Sequence, residues 1–501
     1  MFRRLAFSTT LLGLSLSAIP VPCSAAQLGD VEHIIVIYLE NHSFDNLFGF
    51  FPNADGIAAA GATEIQFDPD GHPYPFLPRV LKRAGNQAEI DCRFPKNLPN
   101  QPFNIDAFVP IGEATGDLLH RFYDQQEQID GGLMDKFAAY SDARGLAMGF
   151  YDGSKTKLWE YAKRYTLADH FFHAAFGGSF LNHFWFICAC TPRYEGVPPD
   201  AIKAKFDANG HIFQLGQPPG VIRTDLVSPQ GYAVNTMFPQ FGPHPENPPP
   251  PPPLDNFLPP IDSKKVPTIG SLLSGKNVSW AWYAGGWDDA VAGHPSKDFQ
   301  FHHQPFAYFD NYKDLLEQRH LLDARDFIWD IVHGTLPQVA FYKPIGKLNE
   351  HPDYTNVLNG DEHLDKVLRL IEQSPIWSKS IVIVTFDENG GYWDHVPPPV
   401  IDEWGPGMRV PTVVISPFAK KGFIDHTIYD TTAILKLIET RFGLEPLGKR
   451  DKCSKDMNAA FEFEGWVSAP PDCESKPAAE AKPESAPAPQ AQPKPEAEPK
   501  P

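Results

Sequence analysis

The chain alternates short apolar runs with longer polar stretches, and the runs carry two different periods. Five are compact and rich in β-branched or aromatic residues: Ile34–Leu39, Val278–Tyr283, Val339–Tyr342, Ile381–Phe386 and Thr412–Ile415. They are apolar at consecutive rather than alternate positions, which predicts strands buried on both faces. Between them the spacing becomes helical. Leu364, Val367, Leu368 and Ile371 share one face of a helix over Asp361–Glu372. A second helix runs from about Thr431 to Phe442, with Asp430 as its N-cap and Gly443 just past its end. Buried strands separated by helices predict an α/β fold with a mostly parallel central sheet covered on both sides. Open sheets of this kind bind ligands beyond the carboxyl ends of their strands, so functional residues are expected where strands stop.

The pattern fails at both ends and once in the interior. Arg3 and Arg4 precede the apolar stretch Leu5–Ile19 and the small residues Ser24-Ala25-Ala26, which together read as an export signal over residues 1–26. That stretch is too short to span a bilayer, and no later segment has the length of a membrane helix. The expected location is therefore periplasmic or secreted. Residues 27–473 form one catalytic domain, interrupted by a Pro-rich surface insertion at about 239–260 that includes six consecutive prolines, Pro248–Pro253. The tail 474–501 is Pro, Ala, Lys and Glu without an aromatic residue, and it is expected to stay disordered. Loops from about Asn53 to Pro110 and Pro192 to Pro260 are expected to form a lid or rim. Removing the signal takes Cys23 and leaves Cys92, Cys188, Cys190, Cys453 and Cys473. This odd number leaves one thiol free; Cys453 with Cys473 is one plausible clip, and the pairing stays open.

Two strand ends carry matching chemistry. Ile34–Leu39 runs into Glu40-Asn41, and Ile381–Phe386 runs into Asp387-Glu388-Asn389-Gly390-Gly391. Three carboxylates and an amide meeting at the top of a sheet repel one another unless a cation neutralises them. An all-oxygen set suits one hard divalent ion, Ca²⁺, Mg²⁺ or Mn²⁺. In "FGGSFLNHF", Gly177-Gly178 place Ser179 at a turn opening a helix, where backbone N–H groups favour an attacking oxyanion and a phosphoryl group. Asn182, one turn along, is a donor for a phosphoryl oxygen. Of the 18 histidines, His120, His302-His303, His351 and His395 sit in loops beside Pro and aromatic residues. Imidazoles there can bind phosphate and protonate a leaving alkoxide.

The motifs "YLENHSFDN", "DLLHRFYDQQEQIDGGLMDKF", "FGGSFLNHF", "HHQPFAYF", "KLNEHP" and "TFDENGGYWDHVPPP", in this order, resemble the bacterial phosphoesterase family of secreted acid phosphatases and phospholipases C. The resemblance runs from Val31 to about Leu444. It implies an alkaline-phosphatase-like α/β/α core and metal ligands at Glu40, Asn41, Asp387 and Glu388. It also implies a serine nucleophile at Ser179 that becomes a phosphoserine, with His120, Asn182, His302, His303 and His351 around the phosphoryl group. His351 or His303 is the expected general acid, and His395 and Asp394 are expected to shape a loop. Histidines acting as acids imply an acidic pH optimum.

The wording of "HHQPFAYF" and "KPIGKLNEHP" leans toward an acid phosphatase acting on phosphomonoesters, with phospholipase C as the alternative. Small phosphorylated molecules or lipid headgroups are the expected partners. A formal net charge of −19 argues against nucleic acid. A sulfatase reading of "CTPRY" fails on spacing, because Arg193 stands three residues after Cys190 where four are needed. A non-catalytic Ca²⁺-binding surface protein is disfavoured by the histidine set. Oligomeric state is left open.

Overall fold

A computed structural model describes residues 26–84, 87–196, 202–208, 211–212, 225–243 and 256–466. The export signal up to Ala25, the prolines Pro248–Pro253, Cys473 and the tail lie outside the described residues.

The core is an eight-stranded sheet. In chain order its strands are β1 His33–Leu39, β2 Thr166–Ala168, β3 Trp280–Ala284, β4 Leu321–Asp323, β5 Val339–Lys343, β6 Ser380–Phe386, β7 Thr412–Ile415 and β8 Phe423–Asp425. Their order across the sheet is β4-β3-β5-β1-β6-β7-β2-β8. Only β7 runs against the others. The expected α/β fold with a mostly parallel sheet is therefore what the chain adopts. All five predicted strands are present. The strand expected from Val278 starts at Trp280, because Val278 still donates from its backbone N–H to Leu273 O at the end of the preceding helix. The strands β2, β4 and β8, three residues each, are too short to show a period.

Burial decides why these runs are strands. Ile34 to Leu39 are all essentially inaccessible, as are Ile381 to Phe386. Each fully buried aliphatic or aromatic side chain is worth about 1.5–3 kcal/mol, more than the ~1 kcal/mol range of strand propensity. Both faces are covered. Phe341 meets Phe186 of a helix over Ser179–Cys188 at 5.3 Å between ring centroids, whereas its neighbour Tyr342 stacks at 4.3 Å on Phe327 of a helix over Ala324–His333. Consecutive residues thus face opposite layers, as strand geometry requires.

The two predicted helices are found at Val357–Gln373 and Thr432–Phe442. The first begins earlier than its apolar stripe because Asn356 caps it, accepting from Asn359 N. In the second, Asp430 Oδ1 accepts from Thr432 N at 2.7 Å and Gly443 closes the end at φ 62°. Cys188 and Cys190 form a disulfide just past the Ser179–Cys188 helix, which also removes Cys190 from any sulfatase chemistry. Cys453 is disulfide-bonded as well, and Cys92 is an exposed free thiol.

Candidate active site at the carboxyl ends of the central strands

Register brings the two carboxylate strand ends together. Leu39 pairs with Phe386, so Glu40 and Asp387 emerge side by side, and Asp387 N continues the ladder to Leu39 O at 3.0 Å. Asn41 then turns into the left-handed region at φ 64°, a conformation that asparagine tolerates better than most side chains. This turn is possible because Gly390, itself at φ 61°, packs against Asn41; a Cβ there would land on the Asn41 carbonyl oxygen. Asn41 N donates to Asp387 Oδ1 at 3.3 Å, and Gly390 N donates to Glu388 Oε2 at 2.5 Å.

Lys343, the last residue of β5, completes this cluster, and the sequence reading missed it. Its Nζ lies 2.8 Å from Glu40 Oε1, 3.3 Å from Asp387 Oδ2 and 3.2 Å from Leu39 O, and the side chain has no solvent exposure. The available signal was a lysine closing a buried strand beside the two that end in carboxylates.

Ser179 sits where the sequence placed it, as the first residue of its helix. Gly177, at φ 85°, makes room for the chain bearing His120; a Cβ would stand 2.6 Å from Phe122 N. Ser179 Oγ donates to Glu388 Oε1 across 3.4 Å. His120 Nε2 lies 3.6 Å from the same Glu388 oxygen and 3.4 Å from Asn41 Nδ2. Asn182 does something other than expected. Its amide donates to the carbonyls of Ala175, Gly177 and Gly178, and its Oδ1 accepts from Ala175 N. Those bonds occupy it in holding the turn before Ser179, and it is not among the residues that line the cavity. His183, one turn after Ser179, was also missed. It bonds to Ser179 O through Nδ1 and stacks on His303 at 5.3 Å.

The cavity over Ser179 measures about 420 Å³ and is lined by Glu40, His120, Ser179, His302 and His351 among others. Arg83 and Asn235 also line it, so the loops expected to form a rim do reach the site. His303 lies behind Glu40 and touches its Oε1, while His351 Nε2 is 3.9 Å from Oε2. Asp394 and His395 stand apart. Asp394 accepts from Arg409 Nε at 2.8 Å, and His395 Nδ1 bonds to Asp45 Oδ2 at 2.6 Å. They shape the loop, as expected. Ser43 caps the short helix Phe44–Phe48, accepting from Asn46 N.

Burial sets the electrostatics. It pushes Asp387 up to about 6, and burial plus the neighbouring Asp387 pushes Glu388 well above the carboxylate range. Burial also acts to raise Glu40, but His303 and Lys343 outweigh it and hold Glu40 well below that range. Burial lowers His303 to about 4 and carries His302 and His183 well below the usual imidazole value.

The donor set fits a hard divalent cation. Glu40 Oε2 and Asn41 Oδ1 are buried acceptors without a hydrogen-bonding donor, Glu40 Oε1 is met by Lys343 and His303, and Asp387 and Glu388 add two further carboxylates. One oxygen each of Glu40 and Asp387 meets Lys343, while Glu388 faces Ser179 and His120. Among the described residues, the carboxylate–imidazole groups with ligand atoms within 4.8 Å of one another are Asp117–His120–His351 at the cavity, Asp169–His170–His426, and Asp45–Asp394–His395.

Comparison with known proteins assigns the chain to a family. The sequence pattern of the Phosphoesterase family matches residues 31–445. A non-hemolytic phospholipase C of Pseudomonas aeruginosa is 25% identical over 89% of this chain, which spans 59% of that protein's length. Phospholipase C B of Mycobacterium tuberculosis is 26% identical over 91% of this chain and 81% of its own. A solved structure of a protein in the alkaline phosphatase superfamily from Vibrio parahaemolyticus aligns over 68% of this chain and 72% of its own at 10% identity and TM-score 0.28. That superposition is too loose to carry the fold assignment, which rests on the sheet itself.

Proposed function

Since the chain belongs to the Phosphoesterase family, we propose that it hydrolyses phosphoric esters and that its substrates are phosphodiesters of the phospholipid-headgroup kind, a phospholipase C activity. The observation that carries the choice is the pair of phospholipase C relatives matched over about nine-tenths of this chain. They favour the alternative over the acid-phosphatase reading that the motif wording suggested. The cavity is consistent with this preference. Asp117, Asp142 and Asp353 line it together with Tyr354. Those carboxylates offer a cationic headgroup its counter-charge, while Arg83, Arg121 and His120 on the same lining offer cations to a phosphate.

In this reading Ser179 Oγ attacks phosphorus in line, passing its proton toward Glu388 Oε1, the acceptor 3.4 Å away. The P–O bond to the glycerol oxygen breaks, and diacylglycerol leaves once that oxygen is protonated. His351 is the donor for that proton: it opens onto the cavity, whereas burial keeps His303 neutral above a pH of about 4. Water then attacks the headgroup-bearing phosphoserine and releases the phosphorylated headgroup. His120 and His302, on the cavity wall, bind the phosphoryl oxygens. A divalent ion held by Glu40, Asn41, Asp387 and Glu388 would supply charge stabilisation to those oxygens and ease ionisation of the serine. Such substrates suit a location outside the cytoplasm, which is the expectation drawn from the first residues of the sequence. Among the described residues no helix is long and apolar enough to cross a membrane.

Turnover of p-nitrophenyl phosphorylcholine against p-nitrophenyl phosphate tests the proposal. Hydrolysis of the diester is expected; turnover confined to the monoester would return the assignment to an acid phosphatase. Ser179→Ala should cost at least about 10³-fold in kcat on either substrate.

A further inference from the structure

Lys343 has no part in the reaction scheme above, yet it is the only ammonium group within reach of two of the site's carboxylates among the described residues. We propose that Lys343 is a permanent cation of the site, holding one oxygen each of Glu40 and Asp387, and that it thereby limits this site to one divalent ion. The inference rests on the phosphoric-ester reading only for the presence of that ion.

The geometry is that of a ligand cage. Three oxygens from three different groups surround Nζ: Glu40 Oε1 at 2.8 Å, Leu39 O at 3.2 Å and Asp387 Oδ2 at 3.3 Å. A fully sequestered charge is tolerated only with such compensation. With an ion bound and all three ionised, Glu40, Asp387 and Glu388 would carry three negative charges, which the ammonium and a single divalent ion would balance. Two-metal sites hold their ions about 3.5–4 Å apart. Lys343 takes up one oxygen each of Glu40 and Asp387, so neither carboxylate would have both oxygens free to hold a second ion. The side chain cannot withdraw easily, because β5 is hydrogen-bonded to β1 and β3 on either edge and Nζ also lies 4.9 Å over the Tyr38 ring.

The test is ion counting with manganese on the full chain after chelator treatment, read without any substrate. It therefore fails or succeeds independently of whether the enzyme cleaves diesters. Native protein is expected to hold one Mn²⁺ per chain and to show an isolated-ion electron paramagnetic resonance signal at saturation. Lys343→Ala, which vacates the three oxygens, is expected to hold two, and Lys343→Arg to remain at one. A Lys343→Ala protein that binds one Mn²⁺ with unchanged affinity would overturn the proposal. So would an exchange-coupled Mn²⁺ pair in the native protein, a result that does not depend on the variant folding.

Discussion

Ser179, Glu40, Asn41, Asp387 and Glu388 could be read from the sequence because each stands where an apolar run breaks, and a break beside a buried strand is visible without coordinates. Lys343 was not legible for the opposite reason. It prolongs a strand as its last residue, and a terminal lysine looks like a solvated end until the neighbouring strands are known. Asn182 shows a different limit: spacing placed it one turn from the nucleophile but could not say whether its amide faced outward or back to the turn. Its placement predicts that Asn182→Ala, by loosening that turn, lowers kcat on p-nitrophenyl phosphorylcholine about 10²-fold with KM little changed. A matching rise in KM would instead assign it to substrate binding. Burial of His303 against Glu40 leaves His351, on the cavity wall, as the proton donor of the two in the proposed scheme. His351→Asn should therefore lower kcat more on a diester with a poor leaving group than on p-nitrophenyl phosphorylcholine, and His303→Asn should not.

The elements that hold these residues depend on close backbone approaches. Gly390→Ala places a methyl group on the Asn41 carbonyl at a positive φ, and a loss of about 2–4 kcal/mol by chemical denaturation is expected. Behind the loop that follows β6, His395 and Arg409 bind Asp45 and Asp394 in a buried network. Burial would lower the His395 pKa, but its bond to Asp45 wins and raises it to about 9. A histidine raised in the folded state binds its proton more tightly there than when unfolded. Its contribution is thus full below about 6.5 and is lost as pH rises through 9. Native protein should therefore lose on the order of 1–3 kcal/mol between pH 6.5 and 9.5 that His395→Gln does not lose. Parallel pH–denaturation series on the two proteins measure it.

Across the whole molecule, the sequence identified the layered α/β plan because long buried strands are legible one at a time. It missed β2, β4 and β8, which hold their place only by pairing with neighbours. An ion that binds the folded chain alone adds about 2.7 kcal/mol at a hundredfold excess over its Kd. Chelation should accordingly lower the Tm of the native protein and leave Asp387→Ala unmoved. The strand order has one more effect, and it concerns timing. β1, the first strand made, lies between β5 and β6, which are translated some three hundred residues later. A nascent chain holds Glu40 and Ser179 long before Lys343, Asp387 and Glu388 exist. The hydrolase is thus inert through most of its own synthesis, and no phosphoric ester of the cell that makes it meets a working site on the unfinished chain.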